Sequence, residues 1–459
     1  MDAGERASRA KQAHDLVARL VANDLRLVAL TWVDNTGITR VKAVPVDKLE
    51  AAAAWGVGMS PVFDVFVLDD SITTSRYIGG PGGDLRLHPD LSMFRSLAAQ
   101  PGWAWAPADR YGQDGTVHPA CQRTFARRMV DAARAGGIEL RMGFEVEWFV
   151  GQETADGTVV PGCTGPAYGM TRVVELSDYI RDVVSALDAQ DVDVAQFHPE
   201  YAPGQLELSI AASDPVQAAD LSVLVRQTIR AVTQRHGLRA SFAPVVVPGQ
   251  VGNGGHVHLS VWQDGHNLFA GGEGRYGLSV AGESFLAGIL EALPSLCAVG
   301  APSVASYLRL VPSRWAGCFR CWGRENREAA LRFITGAVGS EETAANGEVK
   351  CIDGSANPYL LVGALVAHGF AALHERRALP EEVEGDPALI DPVELDRQGV
   401  DRLPQSLPDA LTHLQRDVVL AEAMGGPLFE SFVAVRRAEV ELFAGRTPDQ
   451  IAAATRWKH

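Results

Sequence analysis

The chain lacks a basic excess, a cysteine framework and a long uninterrupted apolar run. Its 459 residues carry 41 Lys and Arg against 56 Asp and Glu, a formal charge of −15. Nucleic acids are held by basic faces, so this balance argues against them as partners. Six cysteines are scattered without a repeated spacing, which argues against a disulfide-stapled fold and suits a reducing, cytoplasmic setting. Cys318-Phe319-Arg320-Cys321 is a lone pair with no second pair and no adjacent histidine, so it reads as two incidental thiols. The apolar stretch 359–373 is interrupted by His368 and falls short of the roughly 20 residues of a membrane span. A buried helix is expected there, and no membrane partner. The amino-terminal residues, Met1-Asp2-Ala3-Gly4-Glu5-Arg6, hold no apolar core, so no secretory signal is expected. Walker-type and kinase glycine loops are missing too, as are internal repeats and low-complexity tracts.

What remains is ordinary globular composition, 47% apolar and 21% charged, with length enough for more than one domain. Residues 8–23 repeat apolar side chains at helical spacing. Strands are expected at 25–33 and 40–46 around the turn Asp34-Asn35-Thr36-Gly37. A glycine-rich loop at 79–83 and a Pro/Trp-rich stretch at 101–107 precede a boundary placed near 112. Beyond it, helices at 119–135, 177–189 and 213–236 alternate with strands at 138–150, 192–198, 206–210, 238–244 and 256–262. The pattern is that of a large sheet flanked by helices.

The chemistry is concentrated in a few segments. Gly143-Phe144-Glu145-Val146-Glu147-Trp148-Phe149 sets two carboxylates on one face of a strand with apolar neighbours. Partly buried like charges are costly unless a cation neutralises them, which points to a divalent metal. In 196–207 a Pro-Gly turn folds Glu200 and Glu207 toward each other, beside His198. In Gly254-Gly255-His256-Val257-His258 the two histidines share a face. Many oxygen donors with few imidazoles suit Mg²⁺ or Mn²⁺ better than zinc. Arginines gather at 309 and across 322–332; they are either an anion-binding cluster for phosphate and carboxylate or a solvated helix face paired with Glu325 and Glu328. Glu348-Val349-Lys350 adds one more acid and base on a shared strand face.

Taken in order, 143–149, 198–207, 252–260, 309–312, 326–332 and 348–360 resemble the glutamine synthetase superfamily over essentially the whole chain. The resemblance implies an α+β fold: a small β-grasp domain (1–112), then a catalytic domain (113–459) with a curved antiparallel sheet flanked by helices. It implies a homo-oligomer, a dodecamer of two hexameric rings with active sites between subunits. By the same resemblance Glu147, Glu200 and Glu207 hold one metal ion, and Glu145, His256 and Glu348 the other. Arg309, Lys350 and the backbone at Gly252 grip L-glutamate. Arg327 and Arg332 face the phosphate and nucleotide, with His198 and Ser260 near ATP. Arg327, Glu200 and Arg309 are the expected catalytic groups.

The departures from the family pattern set the expected substrate. Ammonia-using members carry an acid on the flap after the Arg309 position, where this chain has Trp315, and an Asp-Gly-Ser-Ser motif where it has Gly58-Met59-Ser60-Pro61. Asn346 and Lys350 stand where arginines are usual. An ammonium ion needs anionic groups, whereas an indole suits a bulkier primary amine. The expected reaction is therefore ATP-dependent ligation of an organic amine, of the ethanolamine or polyamine type, to the γ-carboxylate of glutamate, with Tyr168, Glu200 and Trp315 around the amine. An ammonia-using synthetase and a catalytically silent relative are the alternatives. No tyrosine follows Tyr359, so the tyrosine adenylylation of the bacterial ammonia-assimilating enzymes is not expected.

Overall fold

The computed structural model describes residues 1–80 and 82–459; Pro81, in the loop expected at 79–83, lies outside the described residues. The first helix, Ala3–Ala22, starts earlier than its apolar stripe because Asp2 caps it, accepting from the Glu5 amide at 2.8 Å. Six strands follow: β1 (Leu27–Val33), β2 (Thr39–Pro45), β3 (Val57–Met59), β4 (Leu85–Pro89), β5 (Arg95–Ser96) and β6 (Trp103–Gly112). They pair in the order β2-β1-β6-β4-β3, with β5 also on β6. The β1–β6 pair is parallel. The turn between β1 and β2 is tied by Asp34, whose Oδ1 accepts from the Thr36 and Ile38 amides at 2.9 and 3.1 Å. Gly37 there has φ 79°, and a Cβ on it would lie 2.1 Å from the Ser355 carbonyl oxygen.

Period-two alternation explains why β1 is apolar almost throughout. Val28, Leu30 and Trp32 face the helices of this β-grasp unit, in one core with Leu20 and Leu49. Ala29 and Val33 belong to the larger core behind the sheet. Both faces are thus covered.

The larger sheet has eleven strands. They are β7 (Glu139–Glu153), β8 (Val159–Pro161), β9 (Val194–Pro199), β10 (Gln205–Ile210), β11 (Arg239–Ser241), β12 (Val257–Gln263), β13 (His266–Asn267), β14 (Phe319–Arg324), β15 (Ala329–Ile334), β16 (Asn346–Val349) and β17 (Asp401–Arg402). The main path runs β17-β14-β15-β16-β12-β7-β10-β9. Pairing is antiparallel except between β14 and β15, which run parallel. The arginines of 322–332 therefore sit on two strands and their connection, which overturns the solvated-helix alternative.

Helices Gln122–Ala135, Ser177–Asp188 and Pro215–Arg235 match the expected ones. The last starts after Asp214 rather than Ser213, because the Asp214 carboxylate accepts from the Val216 and Gln217 amides. Val280–Gly300, which the sequence reading overlooked, is 21 residues long and apolar enough to span a membrane. Phe285, Ile289 and Leu293 are fully buried within the fold, and the helix packs on Pro358–Ala372, itself buried as expected. Cys318 and Cys321 are buried thiols that burial pushes up to about 12, consistent with inert side chains.

Candidate active site

Strand register assembles the site in two rows. Glu147 on β7 lies opposite Glu207 on β10, and Glu207 opposite His198 on β9. In the second row Arg332 on β15 lies opposite Glu348 on β16, and Glu348 opposite His258 on β12. Facing residues on neighbouring antiparallel strands have Cβ atoms about 5 Å apart, and like charges so placed repel. Glu145 completes the second row: its carboxylate lies 2.8 Å from His256 Nδ1 and 3.0 Å from His258 Nε2. The expected hairpin is present too, with Glu200 turned back by its amide bond to the Gln205 carbonyl at 2.8 Å.

The burial of so many acids shapes their ionisation. Burial, then Glu147 and Glu207, pushes Glu200 up to about 7. Burial also raises Glu207. For Glu145 and Glu348 burial is outweighed, by the His256 and His258 hydrogen bonds in the first case and by Lys350 and His256 in the second, and both fall below the usual carboxylate range. His198, bonded to Glu207, rises to about 9. His256 also rises to about 9, because Glu145 and Glu348 overcome burial and Lys350. The protein thus neutralises this floor with protons, which a divalent cation would displace.

Donor atoms of Glu145, His258 and Glu348 lie within 4.8 Å of one another, as do those of His198, Glu200 and Glu207. These oxygen-rich sets fit Mg²⁺ or Mn²⁺. The grouping differs from the expected one in two members. Glu147 is held by Gln205 Nε2 at 2.7 Å, with His198 nearer the Glu200–Glu207 pair. His258 joins Glu145 and Glu348, and His256 bridges the same two acids at 2.8 and 3.2 Å. The period-two pattern of 256–258 was the signal for His258.

A cavity of about 600 Å³ lies over this floor, lined by Glu145, Glu147, Glu200, Glu207, His256 and Glu348. Its rim carries Tyr168, His198, Gly252, Arg309, Trp315, Arg327, Arg332 and Lys350. Every expected site residue is there except Ser260. Its hydroxyl is taken by Trp262 Nε1 at 2.8 Å, in the buried part of β12, and it does not line this cavity. Arg309 is buried, and its Nη1 has no hydrogen-bond partner among the described residues. Gly254 allows the close approach, since a Cβ there would lie 2.6 Å from Glu147 Oε1 and 2.7 Å from Arg309 Nη2. Lys350 Nζ and Arg332 Nη1 each donate to Glu348 at 3.0 Å. Asn346 Oδ1 accepts from His258 Nδ1 at 2.8 Å.

The groups expected around the amine, Tyr168, Glu200 and Trp315, all line this cavity. Tyr168 donates its hydroxyl to Glu200 Oε2 at 2.9 Å, beside the Tyr201 amide on the same oxygen. Trp315 projects from the flap at φ 54°, its amide held by Glu328 Oε1 at 2.8 Å. Its ring packs on Tyr201, centroids 5.4 Å apart.

Residues 119–453 match the family model of the glutamine synthetase catalytic domain. The chain belongs to the glutamine synthetase family. Among curated members of that family, a γ-glutamylpolyamine synthetase of Streptomyces coelicolor is 54% identical over 458 residues, 99% of this chain and 98% of its own. A glutamine synthetase of Methanocaldococcus jannaschii is 30% identical over 441 residues, 93% of this chain and 94% of its own. A crystal structure described as a novel glutamine synthase homolog superposes with TM-score 0.85 at 32% identity, covering 95% of this chain and 99% of that one. The ADP complex of GmaS superposes with TM-score 0.82 at 27% identity, covering 94% and 97%. The fold expected from the sequence is therefore the glutamine synthetase fold.

Proposed function

We propose that this protein is an ATP-dependent carbon–nitrogen ligase that joins an organic primary amine, of the polyamine or ethanolamine type, to the γ-carboxylate of L-glutamate. The observation that carries this reading is the pairing of a buried, unpartnered Arg309 donor with a tryptophan, not an acid, on the flap above Glu200. The first is a seat for a carboxylate; the second disfavours a small cation and leaves room for a substituted amine. The polyamine in the name of the 54%-identical relative supports the same choice.

In this reading Arg309 and Lys350 hold the glutamate, with the main chain at Gly252. Arg327 and Arg332 face the phosphate being transferred, and His198 lies toward the nucleotide. Glu147, Glu200 and Glu207 would hold one Mg²⁺ or Mn²⁺; Glu145, His256 and Glu348, with His258 alongside, would hold another. Bound metal supplies charge neutralisation on the phosphate chain. The γ-carboxylate oxygen bonds to the terminal phosphorus as ADP departs. The free amine then attacks the acyl carbon, phosphate leaves with the carboxylate oxygen, and Glu200 takes the amine proton. Water must be kept from the acyl phosphate, which suits an oligomer, a dodecamer of two hexameric rings, whose neighbouring subunits cover each site. Residues 1–112 form the covering domain and 113–459 the catalytic one, working in the cytoplasm where ATP is at hand.

Phosphate release with glutamate, ATP and magnesium across a panel of amines tests the reading. Turnover with di- or polyamines or ethanolamine well above that with ammonia is expected. Turnover with ammonia alone would overturn it.

A further inference from the structure

We propose that Tyr201, paired with Trp315, seats the carbon chain of the amine beyond its reacting nitrogen, and so sets which amines are accepted. This inference rests on the ligase reading above. The two rings meet at 5.4 Å and 56°, yet both remain 47% and 41% exposed. Large aromatic faces left open beside a reaction cavity mark a binding surface.

The space they border is defined. A cavity of about 450 Å³ is lined by Tyr201, Ala202, Pro203, Val251, Arg314 and Trp315. It shares Val251, Arg314 and Trp315 with the reaction cavity, so a chain can run from one into the other. Tyr201 is anchored at the nitrogen's end, because its amide donates at 2.9 Å to the same Glu200 oxygen that takes the Tyr168 hydroxyl. Trp315 is anchored from behind by Glu328. Arg314, the charged group on this wall, is tied to the Gly249 carbonyl at 2.9 Å; the two ring faces offer a surface to methylenes and to a distal ammonium alike.

Another cavity that Trp315 borders is charged, with Glu325, Glu328, Glu382, Glu384 and Asp386 beside Arg324 and Arg327. Glu325, Glu328, Glu382 and Asp386 already accept from Arg332, the Trp315 amide, Tyr276 and Ser313. The Tyr201 side is the more apolar of the two, as a carbon chain requires.

The test compares wild type with Tyr201→Ala and Tyr201→Phe, using diaminobutane and ethanolamine. The ratio of kcat/KM for diaminobutane over ethanolamine should fall about ten-fold in Tyr201→Ala, as expected for losing contact with a methylene or two. Tyr201→Phe should restore it, and the KM for glutamate should not move. An unchanged ratio, or equal losses on both amines and on glutamate, would overturn the inference. Calorimetric binding of diaminobutane, with glutamate and a non-hydrolysable ATP analogue present, separates the two claims. Binding weakened by Tyr201→Ala without ligation in wild type refutes the ligase reading alone. Ligation with an indifferent Tyr201 refutes this inference alone.

Discussion

Replacing Arg309 by lysine keeps the charge and removes the fork. In the structure the guanidinium is buried and, among the described residues, Nη1 has no partner and Nη2 has only distant ones, His256 Nε2 at 3.4 Å and the Lys350 carbonyl at 3.5 Å. Leaving a buried charged donor unpaired costs about 1–3 kcal/mol, so a carboxylate that pairs with it gains that interaction in full. A lysine ammonium reaches one carboxylate oxygen where arginine reaches two. The loss of one charge-assisted bond is about 1.5–3 kcal/mol, which is roughly a 10- to 150-fold rise in the KM for glutamate at about 1.4 kcal/mol per factor of ten. Initial rates at saturating ATP and amine measure it, with the KM for ATP as the control. If Arg309→Lys leaves the glutamate KM unchanged, or raises the KM for ATP instead, Arg309 does not hold the carboxylate and the orientation of the site is wrong.

Three further outcomes follow from the same geometry. Gly254→Ala forces a Cβ to within 2.6 Å of Glu147 Oε1; kcat/KM should fall on the order of 100-fold with little change in thermal midpoint, checked by rates and scanning calorimetry side by side. Glu348→Gln leaves Arg332, Lys350 and His256 without their shared anion, so turnover should vanish and stability should drop by about 3–5 kcal/mol, read by denaturant unfolding; unaltered stability would deny the network. Divalent affinity should rise with pH. Below about 7 Glu200 carries a proton, and up to about 9 His198 and His256 are cationic, so each cation bound must displace protons. Titration calorimetry in buffers of different ionisation enthalpy reads those protons, and a flat pH profile would contradict the assignment.

The acids were legible in the sequence because strand chemistry advertises itself. Glu145 and Glu147 alternate inside an apolar strand, and a Pro-Gly turn forces Glu200 back against Glu207. Local pattern also located β1 and β2, though not β3 to β6, and the buried helix, expected at 359–373 and found at Pro358–Ala372. Local pattern is silent on what depends on distant pairing. Gln205, which fixes Glu147 and the Gly252 carbonyl, reads as any turn glutamine. Ser260 shares its strand with His258, yet its hydroxyl is claimed by Trp262. The parallel run of β14 beside β15 has no signature in 319–334, where a four-residue connection suggests a hairpin. Tyr201 follows Glu200 directly, and only the folded flap brings Trp315 onto it.

The most direct test of the account follows one oxygen atom. Glutamate labelled with ¹⁸O in its γ-carboxylate is turned over with ATP, magnesium and diaminobutane, and both products are weighed by mass spectrometry. The account predicts one ¹⁸O in each released phosphate and a γ-glutamyl amide retaining the other. Amide formation with unlabelled phosphate would show that the carboxylate never attacks phosphorus, and would contradict it.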